Sequence, residues 1–302
     1  MRVRMSWTDR LVDRLLEDPT PSGAWGYRSG TSPCAEPTSL ACLALSARGV
    51  EPKTWGKGLA WLATVQQEDG SVPVSSGIPG PAWSTGLAVL AWLQAGGQEE
   101  GRYAAHIKKA TGWLLATRGI RLSPNTEVYG HDVTLQGWPW VKDMHSWVEP
   151  TSYAILALRA VGQAGHPRVR EGARVLLDRA LPDGGWNYGN KRILANTLRP
   201  FPATTGIALS ALAGEPSGPA TGRSITYLTQ VLQGVRTPLT VGWGLIALTA
   251  WNARPAAADD WLARSAARAA DGQPNTLHDA LLLLAGLERC PLAPATPRKT
   301  HG

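Results

Sequence analysis

Segments that are apolar on every side alternate along this chain with segments that are apolar on one side only. The first kind covers 36–48, where Leu40-Ala41-Cys42-Leu43-Ala44-Leu45 offers no polar face, and Gly49 closes it. It recurs at 83–95, 149–161 and 203–213, and again from near Val241 and near Asn275. The second kind covers 54–67, 103–117, 167–180, 221–233 and 256–270, and carries arginines such as Arg168, Arg170, Arg174 and Arg264. Residues 6–17 add one more amphipathic helix, with Ser6 as its N-cap. A helix without a polar face must be enclosed by protein, whereas an amphipathic one keeps one side in water. Their alternation, in repeats of about 35–65 residues, predicts an all-α fold in which helical hairpins stack and close. The expectation is a single (α/α)6-type toroid of inner and outer helices, with Ala and Gly letting the inner backbones approach around the axis.

Sequence repeats support the same architecture. Glu36-Pro37-Thr38-Ser39 returns as Glu149-Pro150-Thr151-Ser152, each followed by Ala at the same offsets. Glycine-aromatic turns occur at Gly23-Ala24-Trp25 and Gly184-Gly185-Trp186. The organisation expected is an N-terminal helix and lead-in over 1–22, the toroid over 23–287 and a loose tail over 288–302. The stretch from 118 to 148 lacks helical periodicity, and a loop that long in a compact domain is usually a lid or a binding loop.

Composition narrows the classes. Fourteen Trp and six Tyr stand beside a single Phe, and Trp suits positions where a ring lines a cavity or plugs a turn. Three scattered cysteines make no disulfide framework. The first residues lack the apolar core of a signal peptide, and no apolar run is long enough to cross a bilayer, so the expected location is cytoplasmic, with peripheral membrane contact allowed. The net charge of +7 is spread over helix faces; without a basic block or zinc finger, nucleic acid is not an expected partner. Nothing in the pattern specifies an oligomeric state.

Lys57-Gly58 … Gln66-Gln67-Glu68-Asp69-Gly70-Ser71 resembles the Gln-Trp repeat of terpene cyclases and protein prenyltransferase β-subunits, without its usual final Trp. Gly137-Trp138-Pro139-Trp140 … Ser146-Trp147-Val148-Glu149-Pro150-Thr151 is similar to a bacterial squalene-cyclase-related subgroup. The resemblance covers nearly the whole chain and implies an α/α toroid acting on isoprenoids. The Asp-x-Asp-Asp acid of true cyclases is absent; the nearest string is Ala257-Ala258-Asp259-Asp260, whose carboxylates suit a helix N-terminus.

Three groups of residues are candidates for chemistry. The resemblance implies a zinc site built on Cys34 and His278, with Asp279, Glu36 or His145 as third ligand; the bland alternative is a buried thiol and a capping imidazole. On the long loop, His131, Asp132 and His145 are candidate proton carriers, since a carboxyl group in an apolar place keeps its proton to higher pH. Glu36 and Glu149 are candidate catalytic carboxylates at helix mouths, where backbone N–H groups are expected to hold them ionised, able to steady a cation but poor as acids. Trp83, Trp138, Trp140, Trp147 and Tyr188 are the candidate substrate-binding rings, their faces suited to a developing cation, while Trp25 and Trp186 are assigned to turns. The reading that follows is an isoprenoid-handling enzyme with an apolar central cavity under the Trp-rich loop, its partner a hydrophobic isoprenoid and zinc its only candidate cofactor. The alternative is a non-catalytic ring that binds a lipid, a peptide or a partner subunit.

Overall fold

The computed structural model describes residues 6–78, 80–95, 101–124, 129–193, 196–270 and 272–293. Among them are twelve helices: α1 (Trp7–Glu17), α2 (Ala35–Ala47), α3 (Pro52–Val65), α4 (Thr85–Gln94), α5 (Ala104–Ala116), α6 (Val148–Ala160), α7 (Pro167–Arg179), α8 (Pro202–Leu212), α9 (Pro219–Leu232), α10 (Pro238–Ala250), α11 (Ala258–Ala270) and α12 (Thr276–Ala285). Two short strands, Arg192–Ile193 and Asn196–Thr197, pair antiparallel between α7 and α8.

The even-numbered helices form the inner ring. Each packs on the next, from α2 through α4, α6, α8 and α10 to α12, and α12 returns to α2. Nearly every residue of these helices is buried, which is why they show no polar face. The odd-numbered helices lie outside, each against its hairpin partner. Helix α1, expected as a lead-in, packs against α12 and α11 and so fills the sixth outer position. Its capping box, Ser6 with Asp9, follows from the sequence. At the other terminus, residues 288–293 are not loose: Leu292 is fully buried and Cys290 bridges to Ala293. The remainder of the expected tail lies outside the described residues.

The turns that enter four inner helices use one repeated device. The backbone N–H of Trp25, Val72, Trp138 and Trp186 donates to the hydroxyl of Thr38, Thr85, Thr151 and Thr205, at 3.0, 2.9, 3.0 and 3.0 Å. Each of the three indoles then donates backwards to an outer helix, to the carbonyls of Leu15, Leu114 and Leu176. Val72 stands where the repeat lacks its Trp, and there the Gln66 amide ties the turn to the carbonyls of Gly70 and His106 instead. Every buried donor in these turns needs its acceptor. Thr205→Val keeps shape but orphans the Trp186 N–H, so a loss of about 1–3 kcal/mol is expected in urea unfolding; an unchanged midpoint would rule the device out as a source of stability.

The inner helices run parallel. Arg48 at the end of α2 donates to the carbonyl of Leu283 near the end of α12, and Arg159 in the last turn of α6 donates to those of Ala211 and Ala213 at the end of α8. One end of the ring therefore gathers six helix N-termini and the other six C-termini.

Candidate functional site

At the N-terminal end, the Glu-Pro-Thr-Ser repeat starts α2 and α6 alike. Pro is tolerated in a first helical turn because its missing N–H had no intrahelical partner there, and the preceding Glu is turned inward. Tyr27 donates its hydroxyl to Glu36 Oε2 at 2.5 Å, and Thr204, at the start of α8, donates to Glu149 Oε1 at 2.6 Å. The N-caps of these helices, Cys34 and Trp147, make no side-chain cap bond.

The expectation that its helix mouth holds the carboxylate ionised does not hold for Glu36. Burial raises Glu36 to about 7, the Tyr27 hydrogen bond opposes that rise, and the charge of Glu149 adds to it. Glu149 is raised as well, by burial, against the bond from Thr204. A helix N-terminus favours an anion by about 0.3–1 kcal/mol, whereas desolvating a carboxylate costs several; burial wins. Tyr27 is itself pushed up, first by burial and then by the charge of Glu36, and remains a donor. The result is a carboxylic acid that carries its proton near neutrality.

An aromatic cluster stands at the same end of the ring and meets the pair through Tyr153, which lies in the field of both carboxylates. Trp83 stacks on Tyr153, with ring centroids 5.8 Å apart, and meets Trp140 edge-on at 4.9 Å. Trp83 and Trp140 are half-buried and keep part of their surface open. Tyr153 of α6 also reaches Trp243 of α10 at 5.9 Å and lies within the field of Glu36 on α2. Neither α10 nor α2 neighbours α6 in the ring, so Tyr153 occupies the axis. At this level the Tyr153 ring stands on the axis, between the loop end and the carboxylates.

The loop residues divide differently from the expectation. Trp138 is a turn plug like Trp25 and Trp186, buried with the Arg168 guanidinium over its face at 4.2 Å; its ring is used up in structure and lines no cavity. Asp132 accepts from the backbone and hydroxyl of Thr134 at 2.8 and 2.6 Å, and those bonds hold its carboxyl below the usual range, the opposite of the shift expected for an acid in an apolar place. His131 is buried with Nδ1 2.7 Å from the Tyr129 carbonyl; burial and the charge of Arg179 lower it to about 4, which keeps the imidazole neutral. The His145 ring lies tilted against Trp147 with centroids 4.5 Å apart, and its Nε2 and the Trp147 indole N–H are buried without protein partners. Tyr188 is half exposed and packs on Phe201 at the outer surface.

The expected metal ligands are also committed elsewhere. Cys34 directs its thiol to the Ser32 carbonyl, and His278 lines a shallow cavity of about 500 Å³ with Thr237 and Arg268. Asp279 pairs with Arg14, and Glu36 with Tyr27. Among the described residues no three His, Cys, Asp or Glu side chains converge as a metal site, so the donor set does not fit zinc.

Sequence reasoning missed Tyr27, Thr204 and Tyr153. Aligning the repeats on Thr38, Thr151 and Thr205 would have placed Ala203 opposite the two Glu residues and put Thr204 within reach of Glu149.

A cavity of about 2270 Å³ opens at the opposite, C-terminal end and is lined by none of the loop residues. Leu43, Leu90 and Leu156 line it, with Trp251, Arg254 and Cys290. Two of its arginines are engaged: Arg254 donates to the Ala285 carbonyl, and Arg159 donates to those of Ala211 and Ala213 while pairing with Glu215, so both cap helix C-termini.

No protein-family model and no curated protein sequence matches the chain. Solved structures do. An α-1,6-mannanase of Salegentibacter, in an inactive variant with α-1,6-mannotriose, superposes with a TM-score of 0.64 at 12% identity, over 93% of this chain and 98% of that one. The type II terpene cyclase MstE from Scytonema, bound to geranylgeranyl dihydroxybenzoate, gives 0.59 at 13% identity, over 89% and 78%. A Salmonella α-2-macroglobulin gives 0.53 at 18% identity; it matches 94% of this chain, which spans only 17% of its length. At such identities the likeness shows the fold, an α/α toroid, and one fold serves many chemistries. Among the described residues no helix is long and apolar enough to cross a membrane.

Proposed function

We propose that the N-terminal end of the ring is an acid site acting on an isoprenoid, with Glu36 as proton donor and Glu149 as the carboxylate beside it. The observation that carries this reading is the buried Glu36, bonded by Tyr27 and holding its proton near pH 7. A general acid works best with a pKa near the operating pH. Protonating an alkene leaves a carbocation, which the open faces of Trp83 and Trp140 stabilise through their quadrupoles, while the ionised form of Glu149 offsets its charge. The likeness to a terpene cyclase adds weight at the level of fold alone.

A second reading has its own support: two carboxylates beside aromatic rings also suit glycoside hydrolysis, and a mannanase shares the fold. The test is turnover of squalene, polyprenyl diphosphates and α-mannan by the purified chain and by Glu36→Gln and Asp132→Asn. Isoprenoid products from the wild-type and Asp132→Asn chains, lost in Glu36→Gln, are the expected result. Sugar release in their place transfers the site to the second reading, and no turnover by the wild-type chain overturns both.

A further inference from the structure

The two carboxylates of the acid site are not held alike. Glu36 is enclosed, 9% exposed, and is bonded by Tyr27 from the turn before its own helix. Glu149 is only half-buried, and its donor comes from the neighbouring helix α8. A hydroxyl has one proton to give. Thr38, Thr151 and Thr205 return theirs to the carbonyls of Trp25, Trp138 and Trp186, inside their own turns. Thr204 instead gives its proton to Glu149 Oε1 at 2.6 Å. The repeat explains the difference. With Thr205 aligned on Thr38 and Thr151, position 204 falls on Pro37 and Pro150. Helix α8 carries its proline two residues earlier, at Pro202, and a buried hydroxyl takes the freed place.

The basic groups of the elements packed around the pair are engaged elsewhere. Arg14 of α1 pairs with Asp279 of α12, Lys57 of α3 lies against Gly23, and His106 of α5 meets Gln66. On α7, Arg168 covers Trp138 and pairs with Glu171, while Arg179 donates to the carbonyls of Ser146 and Gly189 beside Asp178. His278 of α12 and His145 of the loop are both lowered by burial and by a neighbouring arginine. Helices α4 and α8 carry no ionisable side chain. Facing the pair are Tyr27, Cys34 and Tyr153, each raised by burial and then by the charge of Glu36, so that all three stay protonated. Hydrogen bonds and the mutual field of the two carboxylates therefore decide where the proton stays.

We propose that Thr204 is a positioning residue of the acid site, a role that rests on Glu36 being the acid. By bonding Glu149 it keeps the charge on that carboxylate, and the charge on Glu149 keeps the proton on Glu36. A hydroxyl stabilises an ionised carboxylate more than a protonated one, since a charged acceptor makes the stronger bond. Of two carboxylates that feel each other, the better-held one ionises first and the other retains its proton. Tyr27 pulls Glu36 toward ionisation in the same way, but the deeper burial of Glu36 outweighs that pull. The field of Glu149 adds to the burial. Without the Thr204 proton the balance moves to Glu149, and the acid passes from α2 to α6.

NMR titration of the full chain, with isotope-labelled glutamate carboxyl carbons, tests this, and Glu36→Gln and Glu149→Gln assign the two signals. In the wild type the Glu36 signal is expected to titrate near pH 7 and that of Glu149 below it. In Thr204→Val the Glu149 midpoint is expected to rise and the Glu36 midpoint to fall by about one pH unit. Thr204→Ser, which restores a hydroxyl, is expected to return both. Glu149→Gln is expected to lower the Glu36 midpoint likewise, and adding Thr204→Val to it to move Glu36 no further. A Thr204 that serves structure alone would cost stability in urea and leave Glu36 titrating near pH 7. That result overturns the inference and leaves the acid-site reading standing. An unmoved Glu36 in Glu149→Gln overturns it too, without any change at Thr204. A wild-type Glu36 that titrates near its ordinary 4.5 instead sinks the acid-site reading, and this role with it.

Discussion

Gly206→Ala is expected to destabilise the protein by about 3 kcal/mol or more, although alanine is the better helix former by about 1 kcal/mol. Gly206 lies in α8 where it crosses α10, and a methyl group there would meet the carbonyl carbon and oxygen of Trp243 at 2.6 Å. Those are backbone atoms, and they cannot turn aside as a side-chain tip would. The same holds for Gly86 in α4, whose added methyl would meet the Tyr153 carbonyl oxygen at 2.6 Å. Both crossings belong to a closed ring, so widening one strains the others. Gly222, on outer helix α9, has no atom within 4 Å of the added methyl, and Gly222→Ala is expected to stabilise by about 0.5–1 kcal/mol. Urea unfolding of the two variants gives opposite signs on this account. Equal signs would mean that close approach of the inner helices does not hold the ring together.

That closure could be read from the sequence because it depends on a property each segment carries by itself. Ala41, Leu43, Ala44 and Leu45 leave α2 without a polar side, whatever surrounds it, and an outer helix such as α7 declares itself through Arg170 and Arg174 on its exposed face. The resulting helix limits stand within three residues of those observed. The site was less legible because its chemistry depends on neighbours distant in sequence. Trp138 and Trp140 sit in one Trp-Pro-Trp string, yet one plugs a turn through Leu114 and Thr151 while the other reaches Trp83. Asp132 looked like an acid in an apolar loop, but Thr134, two residues on, shifts its carboxyl down rather than up. Glu36 looked ionised because its own helix favours an anion; burial, which only the closed ring produces, reverses this.

The last consequence concerns Glu36 and stability. Its folded-state pKa, about 7, lies above its ordinary value of 4.5. A group raised in this way contributes stability that is fully present below pH 4.5 and is lost as pH rises to 7, because the unfolded chain ionises freely where the folded one resists. The difference corresponds to about 3 kcal/mol. Asp279, raised to about 6 by burial against the pull of Arg14, and Glu149 add losses of the same sign, so the wild-type curve alone does not isolate Glu36. The difference between Glu36→Gln and wild type does. Glutamine keeps an oxygen for the Tyr27 hydroxyl but never ionises, so the variant is expected to gain on the wild type by about 3 kcal/mol between pH 4.5 and pH 8. Urea unfolding of both chains across that range measures it, and a difference that does not change with pH would show that Glu36 is not held as an acid. A carboxylate retained at such a cost to the fold is what a functional acid requires, since groups tuned away from their ordinary pKa concentrate at sites of chemistry. The variant should therefore be the more stable protein at pH 8 and the one without turnover.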